Sequence, residues 1–173
     1  IYKGYVLGYQ IRNEKYENKY VKYSLKTIYE KILKKEVTES VTSLNKISLF
    51  YGFFQTDYNS KFTIFESSLD CFLYLNSIGV SSVNSDISLF EDLQNCRFFY
   101  DNDDAGIKKA RLLIKDNKSV FLWKKFLEDY NLEYEKIKDY GDILKYSIEN
   151  KLKLHKVLEN YFSTNSLQIL FLW

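Results

Sequence analysis

A chain of 173 residues is long enough to bury a substantial core and short enough to be one domain, or one domain with a small lobe. Its 25 basic and 23 acidic side chains leave a net charge of only +2, which excludes attraction to nucleic acid or membrane by an overall field; any such binding has to be local. Cys71 and Cys96 are too few and too far apart for a zinc cluster, and no apolar run approaches the ~20 residues of a membrane helix.

The absence of Pro and Met, with Ala105 and Ala110 the only alanines and with 16 Tyr and 13 Phe, fits an A/T-rich coding sequence. Most of the 18% aromatic content is therefore read as codon bias rather than as base-stacking platforms. Lacking Met, the chain does not start at an initiator residue, and the expectation is a fragment or a processed product. Each cysteine sits in an apolar segment, as a reduced core thiol does, and no N-terminal signal pattern is present. The expectation is a soluble, cytoplasmic protein with no membrane contact.

In chain order, residues 1–26 alternate apolar and polar side chains through Tyr5–Arg12 and again through Tyr20–Leu25, which predicts a β-hairpin. Helical spacing follows over Thr27–Lys35 and Thr42–Phe54. Together these make a small N-terminal α+β lobe, residues 1–60. From 61 to about 150 strands and helices alternate: strand Thr63–Glu66, helix Leu69–Ile78, strand Val80–Val83, helix Ile87–Gln94, strand Cys96–Tyr100, helix Asp104–Ile114 and strand Ser119–Trp123. Such alternation predicts an α/β domain with a parallel sheet, right-handed crossovers and a functional crevice beyond the strands' carboxyl ends. Residues 151–173 form a tail after a helix over Asp142–Leu152. It carries a helix over Leu154–Phe162 and an apolar end, Leu167–Trp173, that either docks on the core or was cut from a larger protein.

Acidic residues fall where that crevice is expected. Glu66 ends one strand and is followed by Ser67-Ser68-Leu69-Asp70; Tyr100-Asp101-Asn102-Asp103-Asp104-Ala105-Gly106 ends another and opens a helix. If those strands are parallel neighbours, Glu66, Asp101 and Asp103 converge at one sheet edge, a good mouth for a divalent cation. An EF-hand loop starting at Asp101 fails at its fifth and twelfth places, Ala105 and Leu112. A plainer reading makes Asp103 and Asp104 helix caps only, which leaves Glu66 and Asp101 unexplained. Lys138-Asp139-Tyr140-Gly141-Asp142 adds a third acidic element, in which Asp142 by itself reads as an ordinary helix N-cap and Asp139 as an exposed loop acid.

Taken in order, Phe65–Asp70, Tyr100–Gly106 and Lys138–Asp142 resemble the Toprim domain of bacterial and phage DnaG-type primases. Gly4–Arg12 followed by Lys22-Tyr23 is similar to the primase segment in which a glycine-aromatic strand ends in Arg and a Lys-Tyr pair follows; Lys19-Tyr20 is the other match for that pair. The resemblance spans residues 1–25 and 61–145. Ser67 stands where the family usually has Gly, and Asp139 and Asp142 are separated by two residues where the family often has one.

The resemblance implies a Toprim-like sheet and metal-dependent synthesis of short RNA primers on single-stranded DNA during replication, from ribonucleoside triphosphates and beside a replicative helicase. Joining a 3′-oxygen to a nucleotide needs that oxygen activated and pyrophosphate neutralised, which one or two Mg²⁺ (or Mn²⁺) ions do when carboxylates fix them about 3.5–4 Å apart. Asp101, Asp103 and Asp139 are then metal ligands, and Glu66 is a ligand or general acid/base. Asp70 and Asp142 support the ligands, and Arg12 and Lys22 hold template or nucleotide phosphate. Arg12 and Lys22 read equally as exposed hairpin charges; Lys108 and Lys109 read as a solvated helix face and His155 as an exposed tail residue. The competing readings are a Toprim nuclease, a non-catalytic nucleic-acid-binding module and, last, a phosphotransfer receiver domain, for which no strand-end Lys can be placed. The A/T-rich composition and the primase likeness point to a phage or mobile-element origin.

Overall fold

The structure is a computed structural model that describes residues 9–12, 20–80, 85–153 and 156–172, and the chain divides into two units, Ile1–Phe54 and Gln55–Trp173. In the first unit β1 (Tyr9–Arg12) and β2 (Tyr20–Tyr23) pair antiparallel with Tyr9 opposite Tyr23, the expected hairpin; residues 1–8 and 13–19 lie outside the described residues. The two helices that follow begin earlier than their apolar spacing predicts, because hydroxyls upstream cap them. Ser24 Oγ accepts from Thr27 N at 3.3 Å to open α1 (Leu25–Thr27), which continues as a π-helical turn, Ile28–Ile32, and stops at Lys34 with φ 53°. Thr38 Oγ1 accepts from Val41 N at 3.3 Å to open α2 (Glu39–Ser48), and a left-handed Gly52 with φ 80° lies just beyond its end. Leu25 and Val41 form the small core of this unit with Tyr29, Val37 and Leu44.

The second unit is α/β. Among its described residues five strands form one sheet in the order β4-β3-β5-β6-β7: β3 (Phe62–Phe65), β4 (Ser77–Gly79), β5 (Cys96–Phe99), β6 (Ser119–Phe121) and β7 (Phe162–Ser163). The first four in that order run parallel and β7 joins β6 antiparallel at the edge. Phe-Thr-Ile-Phe and Cys-Arg-Phe-Phe are buried throughout, as strands covered on both faces are. Helices α3 (Ser68–Leu73), α4 (Ser88–Glu91), α5 (Asp104–Lys115), α6 (Trp123–Asp129) and α7 (Tyr140–Glu149) flank them.

Much of the aromatic content turns out to be core: Phe62, Phe65, Phe98, Phe99, Phe121, Trp123 and Phe126 are all buried, with Phe99 and Phe121 stacked at 4.3 Å between centroids. Cys71 and Cys96 are free, buried thiols whose pKa burial pushes up to about 11 and about 12. No helix among the described residues is long and apolar enough to cross a membrane.

Several element bounds differ from the sequence reading for local reasons. The helix read over Leu69–Ile78 ends at Leu73, since Asn76 takes φ 49° and its side chain holds Asp57 N and the carbonyls of Asp57 and Lys61. The strand expected over Val80–Val83 is therefore Ser77–Gly79, and residues 81–83 lie outside the described residues. The helix read over Ile87–Gln94 is the short α4. Trp123 starts α6 rather than ending a strand. In the tail, the helix read over Leu154–Phe162 is a 3-10 turn, Leu158–Tyr161, running into β7; Leu158 and Leu172 are buried, so this segment docks on the core, while His155 lies outside the described residues.

Candidate functional site

The acidic residues leave the sheet together because β3 and β5 are parallel neighbours in register, Phe62 opposite Cys96 through Phe65 opposite Phe99. Glu66 is the first residue past β3 and Asp101 the second past β5. Beneath them Phe65, Phe99 and Tyr140 pack on one another with centroids 5.0, 5.4 and 6.1 Å apart. One aromatic from each acidic segment thus keys that segment to the others.

A residue absent from the sequence-based candidates makes the third segment converge. Asn102, fully buried, donates its backbone N–H to the Lys138 carbonyl at 2.6 Å and its Nδ2 to the Ile137 carbonyl at 2.9 Å. It straps the loop of Asp101 and Asp103 to the loop that ends in Asp139. Its polarity had disguised it as one more turn residue between two aspartates.

Helix starts account for the rest of the geometry. Asp103 Oδ1 accepts from Gly106 N at 2.8 Å and caps α5. Asp139, half-buried, accepts from Asp142 N at 2.8 Å and caps α7, while Asp142 Oδ2 reaches back to Lys138 N at 2.8 Å. That corrects the reading of Asp142 as the cap and Asp139 as an exposed acid: α7 starts at Tyr140, Asp139 is its cap, and Asp142 holds the backbone N–H of Lys138 just ahead of the cap. Ser67 accepts from Leu69 N at 3.1 Å and caps α3. Asp70, on that helix, is buried and accepts from Gly141 N at 3.1 Å, joining α3 to α7. Gly106 lets the first turn of α5 rest on Asp101, whose carbonyl oxygen lies 2.2 Å from where a Cβ would be.

Electrostatically the cluster centres on Asp101. Burial, then the carboxylates of Glu66, Asp70, Asp139 and Asp103, push its pKa up to about 8; the four charges named all have the same sign as its own. Asp70 is raised to about 7 by burial and by Asp139, with the Gly141 N–H opposing, and Asp139 is raised chiefly by burial. The Oε2 atom of Glu66 is shielded from solvent. Hard oxygen donors crowded in a half-buried site suit a divalent cation of the Mg²⁺ or Mn²⁺ type in charge and chemistry. The geometry is less complete: among the described residues no three acidic, His or Cys side chains form a group that could hold a metal ion, and Asp103 and Asp139 each commit one oxygen to a helix N-terminus.

The gathered acids all belong to the second unit. Arg12 and Lys22 lie on β1 and β2 of the first, paired with Tyr20 and Gln10 respectively. Lys108 and Lys109 lie on α5, Lys108 exposed and Lys109 half-buried. No family model matches the chain, and no curated protein is significantly similar to it.

Proposed function

We propose that the acidic edge of the second unit is a metal-dependent phosphoryl-transfer site and that the chain is the catalytic part of a Toprim-type primase. It would make short RNA primers from ribonucleoside triphosphates on single-stranded DNA, beside a replicative helicase and in the cytoplasm. The observation that carries the reading is the gathering of Glu66, Asp70, Asp103 and Asp139 around Asp101, at the carboxyl edge of two parallel strands, by the Asn102 strap.

A divalent cation bound there would offset the charge that builds on the reacting oxygens. Asp101, Asp103 and Asp139 would hold it. Glu66, next to Asp101 and shielded from bulk water at Oε2, would serve as a further ligand or take the proton of the attacking 3′-hydroxyl. Asp70 and Asp142 act through their hydrogen bonds to Gly141 and Lys138, which set the loop of Asp139. Arg12 and Lys22 are assigned to phosphate of the template or nucleotide.

A second reading, a non-catalytic nucleic-acid-binding module, is favoured by the capping roles of Asp103 and Asp139, each of which commits an oxygen to a helix start. One gel assay separates these readings and the nuclease: the protein with labelled single-stranded DNA, labelled ribonucleotides and Mg²⁺ or Mn²⁺, beside Asp101→Ala/Asp103→Ala. Metal-dependent oligoribonucleotides that vanish in the double variant support the primase. Shortened DNA without synthesis supports the nuclease. No product, with no heat of Mn²⁺ binding by calorimetry, supports the module.

A further inference from the structure

A cavity of about 420 Å³ borders the aromatic group beneath the carboxylates, through Tyr140 at the start of α7, and is lined further by the end of α3, the turn after it, Lys61, Arg97 of β5 and Glu159 of the tail. That volume falls within the range of about 300–1,000 Å³ usual for small-molecule sites. Arg97 is a buried cation in the middle of a central strand. Its Nε and Nη2 donate to Thr63 Oγ1 at 3.2 and 3.0 Å, and its Nη1 pairs with Glu159 Oε2. Lys61, at the rim, also acts on Glu159. Two cations thus face one anion, and that anion is half-exposed on the tail side.

The walls are aromatic and apolar. The rings of Tyr74 and Tyr140 meet edge to face at 5.2 Å, Leu73 and Leu75 add apolar surface, and both hydroxyls stay neutral because burial pushes their pKa up to about 12. Tyr74 donates to Glu159 Oε1 at 2.8 Å, so a polar rim of fixed orientation borders the flat faces. A cavity with one cation in excess and tyrosine walls selects for negative charge and for a planar group together.

We propose that this cavity binds a small organic anion in which a flat ring carries a single carboxylate or phosphate, the acid group seated between Arg97 and Lys61 and the ring against Tyr74 and Tyr140. The proposal does not depend on the activity of the acidic edge.

The test is titration calorimetry and saturation-transfer NMR on the full chain in EDTA, with adenosine 5′-monophosphate, 4-hydroxybenzoate and inorganic phosphate as probes. Both ring-bearing probes are expected to bind more tightly than phosphate. Lys61→Glu, at an exposed rim position, should weaken them about tenfold, the loss of one charged contact. Glu159→Gln should strengthen them, since it removes the competing anion while keeping an acceptor for Tyr74. Asp101→Asn should leave them unchanged. Absence of binding at millimolar probe, affinities that neither Lys61→Glu nor Glu159→Gln moves, or phosphate binding as tightly as the ring-bearing probes would each overturn the proposal.

Discussion

Gly106→Ala separates two opposed effects by sign. Inside a helix this change ordinarily stabilises, by about 0.4–1 kcal/mol, because it narrows the unfolded ensemble and suits the helix. Here the new Cβ would stand 2.2 Å from the Asp101 carbonyl oxygen and 3.0 Å from its carbonyl carbon and backbone nitrogen. An ordinary C···O contact is about 3.3 Å, so α5 and the Asp101 loop must part by about 1 Å. Forcing backbone apart in this way costs about 1–3 kcal/mol, which outweighs the helix gain. The expected result is a net loss of about 1–2 kcal/mol, a fall in Tm of about 2–8 °C for a chain of this size. Because the displaced loop carries Asp101, Mn²⁺ affinity measured by calorimetry should fall with it. Ala105→Gly, one residue earlier on the exposed side of the helix, is the control: it should lose about 1 kcal/mol from helix propensity and leave Mn²⁺ affinity alone. A Gly106→Ala protein that melts at or above the parent temperature would refute the close approach and, with it, the claim that α5 positions Asp101.

Asn102→Ala strands the buried Ile137 carbonyl and should cost about 1–3 kcal/mol by urea denaturation, with amide exchange accelerated in residues 137–142. Asp139→Asn keeps an oxygen for the Asp142 N–H and should preserve Tm while weakening Mn²⁺ binding, whereas Asp139→Ala should lose both, with about 1 kcal/mol of the loss due to the cap; equal Mn²⁺ affinity in all three proteins would reduce Asp139 to a cap. For pH, Asp101 and Asp70 titrate at about 8 and about 7 in the fold against about 4 in the unfolded chain. Folding therefore favours their protonated forms, and that contribution is full below about pH 4 and is lost as the pH rises through 7 to 8. Between pH 5 and 9 in EDTA the protein should lose stability, on the order of 4 kcal/mol if the whole Asp101 shift is realised. Asp101→Asn should flatten the profile, Mg²⁺ should restore stability above pH 7, and a flat profile in the parent would mean that the carboxylates are not crowded.

How far the sequence carried the reading depends on the length scale of the signal. Phe-Thr-Ile-Phe and Cys-Arg-Phe-Phe are continuous apolar runs of strand length, so β3 and β5 were legible, and with them the acids at their ends. Elements set by a single residue were not. Asn76 in the left-handed region moved β4 upstream, and the two residues of β7 are too few to show any alternation. Trp123, Phe126 and Leu127 have helical spacing, yet they follow a strand without a break in hydrophobicity, and the start of α6 was absorbed into it. Within the site, side-chain type marked the acids but not their duties. Whether an aspartate near a helix start caps the helix depends on where the helix begins, and Tyr140 begins α7 because its ring belongs to the aromatic core. Asn102 and the buried Asp70 act across more than thirty residues of sequence, beyond the reach of any local pattern.

The short antiparallel strand β7 has a bearing on how copies of this chain behave toward one another. It lies along β6 through Phe121–Phe162 and Val120–Ser163, and its Phe162 ring covers the Arg97 guanidinium at 4.5 Å. At the far side of the sheet β4 offers three residues of edge. A net charge of +2 provides little mutual repulsion, and the strands inside the sheet are rich in phenylalanine, the composition from which intermolecular sheets grow. Protection from that fate falls to the edges, which are too short to template another strand. A chain shortened before Phe162 would bare β6 and lose the insulation that keeps an aromatic sheet from becoming a fibre.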